Sequence, residues 1–204
     1  MNRGFRLATL CQNIVLLTAV SMLAACGSSP TVRYYTLEAL ETGYDTVQDG
    51  APRLGIGPFR MPDYLTRSKI VTRGADASAK IDDFHRWIEP VSDALHTIVA
   101  TNVDSMTTDV IAVAFPYRFL DQTEMRVVGR IERFDSNHRG EVELVVQWGI
   151  TSYNSDFIIT PQRRIYRSQA SSPDDYNAIA NAMSDALRLF SRDITDAFLS
   201  IDQD

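Results

Sequence analysis

Apolar positions recur along this chain at two different periods, and between them they mark two helices and a set of strands. From Val91 to Met106, the residues Val91, Leu95, Ile98, Val99, Val103 and Met106 fall at helical spacing behind an opening Glu89-Pro90. A longer stripe, Tyr176, Ile179, Met183, Leu187, Phe190, Ile194 and Phe198, predicts a closing helix with Arg188 and Arg192 on its polar side. Ser172 is its expected N-cap and Pro173 suits the first helical position, while Asp174 and Asp175 favour the positive end of the helix dipole.

Period two governs most of the remainder. Met125, Val127, Gly129 and Ile131 alternate onto one side of a strand over 125–134. Val142, Leu144, Val146, Trp148 and Ile150 do the same over 141–150, with Glu141, Glu143 and Gln147 opposite. The Ser136-Asn137-His138-Arg139-Gly140 stretch between them is turn chemistry and predicts a hairpin. Further strands are expected over 33–40, 53–59, 70–73, 79–87, 110–115 and 157–168, the last interrupted by Pro161, and 41–52 reads as a polar loop. The expected fold is α/β: a single domain in which a mixed, mostly antiparallel β-sheet of about six strands packs with two amphipathic helices.

The first 25 residues follow neither period. Arg3 and Arg6 precede an apolar stretch from Leu7 to Leu23, which ends in Leu23-Ala24-Ala25-Cys26 and then Gly27-Ser28-Ser29-Pro30. A positive segment, an apolar segment and small residues at the end are the parts of a secretion signal. The ending resembles a lipobox, which makes Cys26 the lipid-bearing first residue of a mature lipoprotein. The competing reading is an uncleaved transmembrane anchor, but Thr9, Gln12, Asn13, Thr18 and Ser21 thin the hydrophobicity of this span. The expected organisation is a signal peptide over 1–25, a lipidated Cys26 with a tether over 26–32, and a domain over 33–201. Two or more acyl chains, at about 0.8 kcal/mol per buried methylene, hold such a protein stably to a membrane. Gly27, where inner-membrane lipoproteins usually carry aspartate, points to an outer-membrane anchor facing the periplasm.

Cleavage after Ala25 would leave 179 residues and remove two arginines and no acids, moving the formal net charge from −6 to −8. An acidic domain is a poor partner for nucleic acid, which needs a basic face. Cys11 leaves with the signal and lipid consumes Cys26, so neither a disulfide nor thiol catalysis is open to the domain. No cofactor is expected beyond the covalent lipid on Cys26. Of the three histidines, His85, His96 and His138, no two have the spacing of a helical metal site. Asp82 and Asp83 are adjacent on an extended segment, so their carboxylates point apart. Nucleophile elbows, Ser-x-x-Lys motifs and phosphate loops are all missing from the sequence, and an enzyme is not expected.

The residue pattern leaves one conspicuous connection, Gly57-Pro58-Phe59-Arg60-Met61-Pro62-Asp63-Tyr64-Leu65-Thr66-Arg67. Its apolar side chains either fold back onto the edge of the core or present themselves to a partner, as interfaces favour Tyr, Met and Arg. Pro62, Asp63, Tyr64, Leu65 and Arg67 are the candidate partner-binding residues. Trp87 invites the same two readings, and there core packing is favoured because it directly precedes the first helix.

The lipobox at Cys26, Tyr34-Tyr35-Thr36-Leu37 just after it, and Pro62-Asp63-Tyr64-Leu65 behind a Gly-Pro-Phe strand end occur in a telling order. Ile70-Val71-Thr72-Arg73, Arg86-Trp87-Ile88-Glu89-Pro90 and a closing amphipathic helix continue it. In that order and spacing the chain resembles the PqiC (YmbA) family of ABC-type transport auxiliary lipoproteins over nearly its whole length. The resemblance implies a non-enzymatic, outer-membrane partner of a transport system in which an MCE-domain (PqiB-like) protein carries lipids between membranes. It also makes a homo-oligomeric ring an expectation, because the MCE assembly of that family is ring-like. The competing hypothesis is an autonomous lipid- or ligand-binding lipoprotein, which needs a sizeable apolar cavity between sheet and helices.

Overall fold

The structure is a computed structural model, and it describes residues 30–41, 50–116, 123–152, 159 and 161–201. Internal contacts set a unit spanning Val32–Asp204 apart from Met1–Thr31. The signal segment, Cys26 and residues 27–29 of the tether, residues 42–49 of the polar loop, and Phe157, Ile158 and Thr160 of the last expected strand lie outside the described residues.

In chain order the elements are β1 (Arg33–Tyr35), β2 (Arg53–Arg60), β3 (Lys69–Arg73), β4 (Ala79–Trp87), α1 (Val91–Met106), β5 (Ile111–Ala114), β6 (Met125–Asn137), β7 (Glu141–Ser152), β8 (Gln162–Gln169) and α2 (Tyr176–Ile201). A 3-10 turn over Asp63–Thr66 joins β2 to β3. The sheet therefore has eight strands among the described residues, where about six were expected. Its longest ladders, β6 with β7 and β7 with β8, are antiparallel, as is β3 with β4. Four pairings are parallel: β1 with β4, β2 with β5, β2 with β6, and β3 with β6. The short strands β1 and β5 lie within the expected 33–40 and 110–115 segments and are held by those long-range parallel partners.

Strand β6 is the spine. One of its edges carries β7 from Met125 to Ser136. The other edge is shared: Met125–Arg130 take β2, and Ser136 and Asn137 take β3. Two bulges set the faces on either side of this fork. One lies in β2 between Ile56 and Phe59, and it keeps both of these side chains on the core side. It is built on Gly57, at φ +109, where a Cβ would come within 2.6 Å of the His96 ring. The other bulge lies in β6 between Ile131 and Arg133, and it moves the inward phase from Val127 and Ile131 to Phe134 and Ser136. Beyond it β6 runs on to Asn137, so the hairpin turn is tighter than expected and closes with Gly140 N–H donating to Asn137 O at 2.9 Å.

Both helices pack on one face of the sheet. Every residue of the α2 stripe read from the sequence is buried, as are Val142, Leu144, Val146, Trp148 and Ile150 of β7. Phe190 is the centre of this layer, with ring centroids 5.6 Å from Trp148, 5.5 Å from Tyr166 and 5.8 Å from Phe59. Each large apolar side chain so buried contributes about 1.5–3 kcal/mol. Small and hydroxylic residues of α2, among them Ala186, Ser184, Ser191 and Thr195, are buried too. Ser191 Oγ accepts from Asn102 Nδ2 of α1 at 3.3 Å.

Two further boundaries differ from the sequence reading for a reason visible in hydrogen bonds. The first strand ends at Tyr35, because Glu38 N–H donates to Ser184 Oγ and Leu40 N–H to Asn102 Oδ1. Those bonds lay the segment across both helices instead of extending the ladder. Helix α2 starts at Tyr176, capped by Asp175, whose Oδ1 accepts the N–H of Asn177 at 2.9 Å and of Ala178 at 3.3 Å. Ser172, the expected cap, instead accepts Asp174 N–H in a turn one step earlier.

Candidate functional site

The 57–67 connection occupies the fork on β6. Between Arg130 and Ser136 that edge of β6 has no strand partner, so its outward N–H needs another acceptor. Tyr64 supplies it: Phe134 N–H donates to Tyr64 Oη at 2.8 Å, and Tyr64 Oη donates onward to Asp135 Oδ2 at 2.8 Å. Asp135 is 1% exposed and is clamped by two guanidiniums, Arg73 Nε and Arg133 Nε, each at 2.8 Å. Arg133 reaches on to Glu143 at 2.7 Å. Burial, reinforced by the Asp135 charge, pushes the Tyr64 hydroxyl up to about 12, so it stays protonated and able to donate. A buried carboxylate held by two arginines and a tyrosine is a complete arrangement. It fixes the turn to the sheet and leaves no group free for proton transfer.

The five residues singled out in this turn divide accordingly. Leu65 is 3% exposed and joins the core, and Tyr64 and Met61 pack against it half-buried. Asp63 and Arg67 face solvent, and Pro62 lies between these extremes. The space where the turn, β3, Trp87 and Met183 meet is about 10 Å³, no more than one water's worth. The apolar half of the motif is thus the plug of a sheet fork, and only its polar rim is available to a partner.

Two of the three histidines have a local duty. His96 lies against the β2 bulge, where its Nε2 accepts Phe59 N–H at 3.4 Å and its ring stacks on Phe59. Burial holds its pKa below the ordinary 6.5, only partly offset by the Ser92 carbonyl and Asp93. His85 is sandwiched with Tyr176 at 3.9 Å between centroids and takes Tyr35 Oη at 2.6 Å on Nδ1. His138 is exposed in the hairpin turn. Asp82 accepts Tyr176 Oη and the N–H groups of Phe84 and His85, while Asp83 pairs with Lys69 at 2.6 Å. The two carboxylates do point apart. Among the described residues no three His, Cys, Asp or Glu side chains gather to hold a metal ion.

The feature that sequence reasoning missed is on the open face of the sheet. Register places Arg60 of β2 beside Arg130 of β6, Arg130 beside Gln147 of β7, and Gln147 beside Arg163 of β8. All four are exposed, and two depressions of about 480 and 520 Å³ adjoin along this row, both lined by Arg60 and Arg130. The signal is absent from any one strand, since it depends on the Gly57-Pro58 bulge turning Arg60 outward.

The family model described as ABC-type transport auxiliary lipoprotein component matches residues 35–195. The chain belongs to this family. As a transport auxiliary lipoprotein it is a membrane-anchored envelope protein that associates with a transporter, and its family is not a known enzyme family. The same fold occurs in a crystal structure of an uncharacterized protein, at TM-score 0.67 and 17% identity over 81% of this chain and 97% of that one. A Xanthomonas campestris protein of family DUF330 matches at TM-score 0.64 and 16% identity, over 84% of this chain and 100% of that one. PelC from Paraburkholderia phytofirmans, solved as a dodecamer, has a TM-score of 0.35 and 10% identity, over 68% of this chain and 87% of that one. That likeness is too distant to carry an argument about assembly. No curated protein matches the chain in sequence. Neither helix in the described residues is long and apolar enough to cross a membrane.

Proposed function

We propose that this auxiliary lipoprotein is anchored in the outer membrane through lipid on Cys26, faces the periplasm, and docks the MCE-domain protein of an ABC-type lipid transport system. The observation that carries the binding role is the packed interior: α2 and β7 meet ring to ring around Phe190, and the structure uses its polar clusters to hold strands together. Family membership supplies the transporter, and Gly27 after Cys26 supports the outer membrane. The same packing weighs against an autonomous carrier that swallows a lipid between sheet and helices.

Within the 62–67 turn, Asp63 and Arg67 form the docking rim, with Tyr64 and Leu65 as its buried support. Self-association into a ring accompanies docking in this reading. The test is co-purification of the MCE-domain partner from solubilised membranes. Charge reversal of the rim, Asp63→Lys with Arg67→Glu, is expected to lower recovery of the partner while leaving the melting temperature unchanged. Full recovery with that double variant would remove the turn from the interface.

A further inference from the structure

The row on the open sheet face has the chemistry of an anion site. Arg60 and Arg130 are direct register partners on neighbouring strands, about 4.8 Å apart in backbone spacing. Like charges set opposite one another repel, and among the described residues neither guanidinium has an ion pair. Arg163, at the far end, is differently placed: its Nε and Nη2 grip both oxygens of Glu132 at 3.2 and 2.7 Å. Glu132 is the one carboxylate among the described residues that line the two depressions, and Arg163 holds it, with Arg130 and Gln147 also favouring its charged form. On a chain of formal net charge −6, this is a local reversal of sign with two cations left over.

We propose that Arg60 and Arg130 bind a phosphate group in this groove, as a mono- or diester. Guanidinium forks match phosphate oxygens in geometry and in charge. Gln147 lies beside Arg130 on the strand that follows, and its amide adds a donor. The two depressions together have the size of a small-molecule site. Their rims are apolar, with Val128 and Pro161 on one side and Met61 and Pro62 on the other. That lining suits an ester with an organic body. Shape and charge are shared by a phospholipid headgroup and a free phosphate; only the choice of the lipid rests on the transport reading, and the anion site stands without it.

The test is titration calorimetry on the full lipoprotein in neutral detergent, with two probes: inorganic phosphate, and a short-chain phosphatidylglycerol below its micellar concentration. Saturable binding of at least one probe is expected, weakened roughly tenfold in Arg60→Gln and again in Arg130→Gln. Arg192→Gln, an exposed change on α2, should leave affinity untouched. Glu132→Gln should tighten binding, because it removes the one negative lining group and releases Arg163. Phosphatidylglycerol binding more tightly than phosphate assigns the site to a headgroup; equal affinities assign it to free phosphate. Binding of neither probe, or unchanged affinity in the Arg60/Arg130 double variant, overturns the proposal. Binding of a poly-glutamate peptide but of neither probe would hand the groove to an acidic protein segment instead. None of these outcomes depends on whether an MCE-domain protein co-purifies, so the two readings fail separately.

Discussion

At the scale of single residues, two side chains carry more than their surroundings suggest. Tyr64 satisfies an N–H that the fork leaves without a strand partner, and it donates to a buried carboxylate. Tyr64→Phe keeps the ring and removes only the hydroxyl, leaving both groups short of a bond; a loss of about 1–3 kcal/mol is expected in chemical denaturation. Asp63→Ala, one residue away and exposed, is expected to stay within about 0.5 kcal/mol. His96 makes a pH dependence. Its folded pKa is depressed, so the neutral ring that accepts Phe59 N–H is favoured in the fold. The stability it lends is complete above the unfolded value of about 6.5 and is lost as pH falls from there toward the folded value. Thermal melts between pH 7 and 5 should therefore fall in the native chain and fall less steeply in His96→Gln.

At the scale of elements, what was legible followed from local period. The α2 stripe, the β6–β7 hairpin and the inward face of β7 could be read because each buries one face against a neighbour close in sequence or a whole helix. The parallel pairings could not, since β2 finds β5 and β6 at long separation and nothing in Arg53–Arg60 names them. The helix start shows the same limit at short range. Ser172, Asp174 and Asp175 are all good caps, and the choice fell to Asp175 because its carboxylate meets two N–H groups. Asp175→Ala is expected to cost about 0.5–2 kcal/mol, with Ser172→Ala costing a fraction of that in the same melt. In the candidate turn, Met61, Tyr64 and Leu65 stand out in the sequence as apolar residues in a connection. What they address, a gap in the β6 ladder, became visible only once β2 and β3 were placed on one edge. The β2 bulge can be tested directly. Gly57→Ala sets a Cβ at φ +109 against His96, and about 1–3 kcal/mol of destabilisation is expected from the strain alone.

At the scale of the whole molecule, the layers divide the work. One face of the sheet is sealed by two helices with aromatic rings in contact, and this accounts for stability without disulfides. The other face and the loop rim are left to meet the surroundings. The row of Arg60, Arg130, Gln147 and Arg163 is a property of this scale alone, since it crosses four strands that are scattered along the chain. In the proposed function, a lipid on Cys26 holds this domain where it meets an MCE-domain partner. The most direct measurement is a detergent-solubilised pull-down of the mature lipoprotein, with mass spectrometry of what accompanies it, beside a Cys26→Ala form retained in the inner membrane. Recovery of an MCE-domain protein with the native chain and its loss with Cys26→Ala is expected; equal recovery from both, or none from either, would overturn the lipid-anchored docking role.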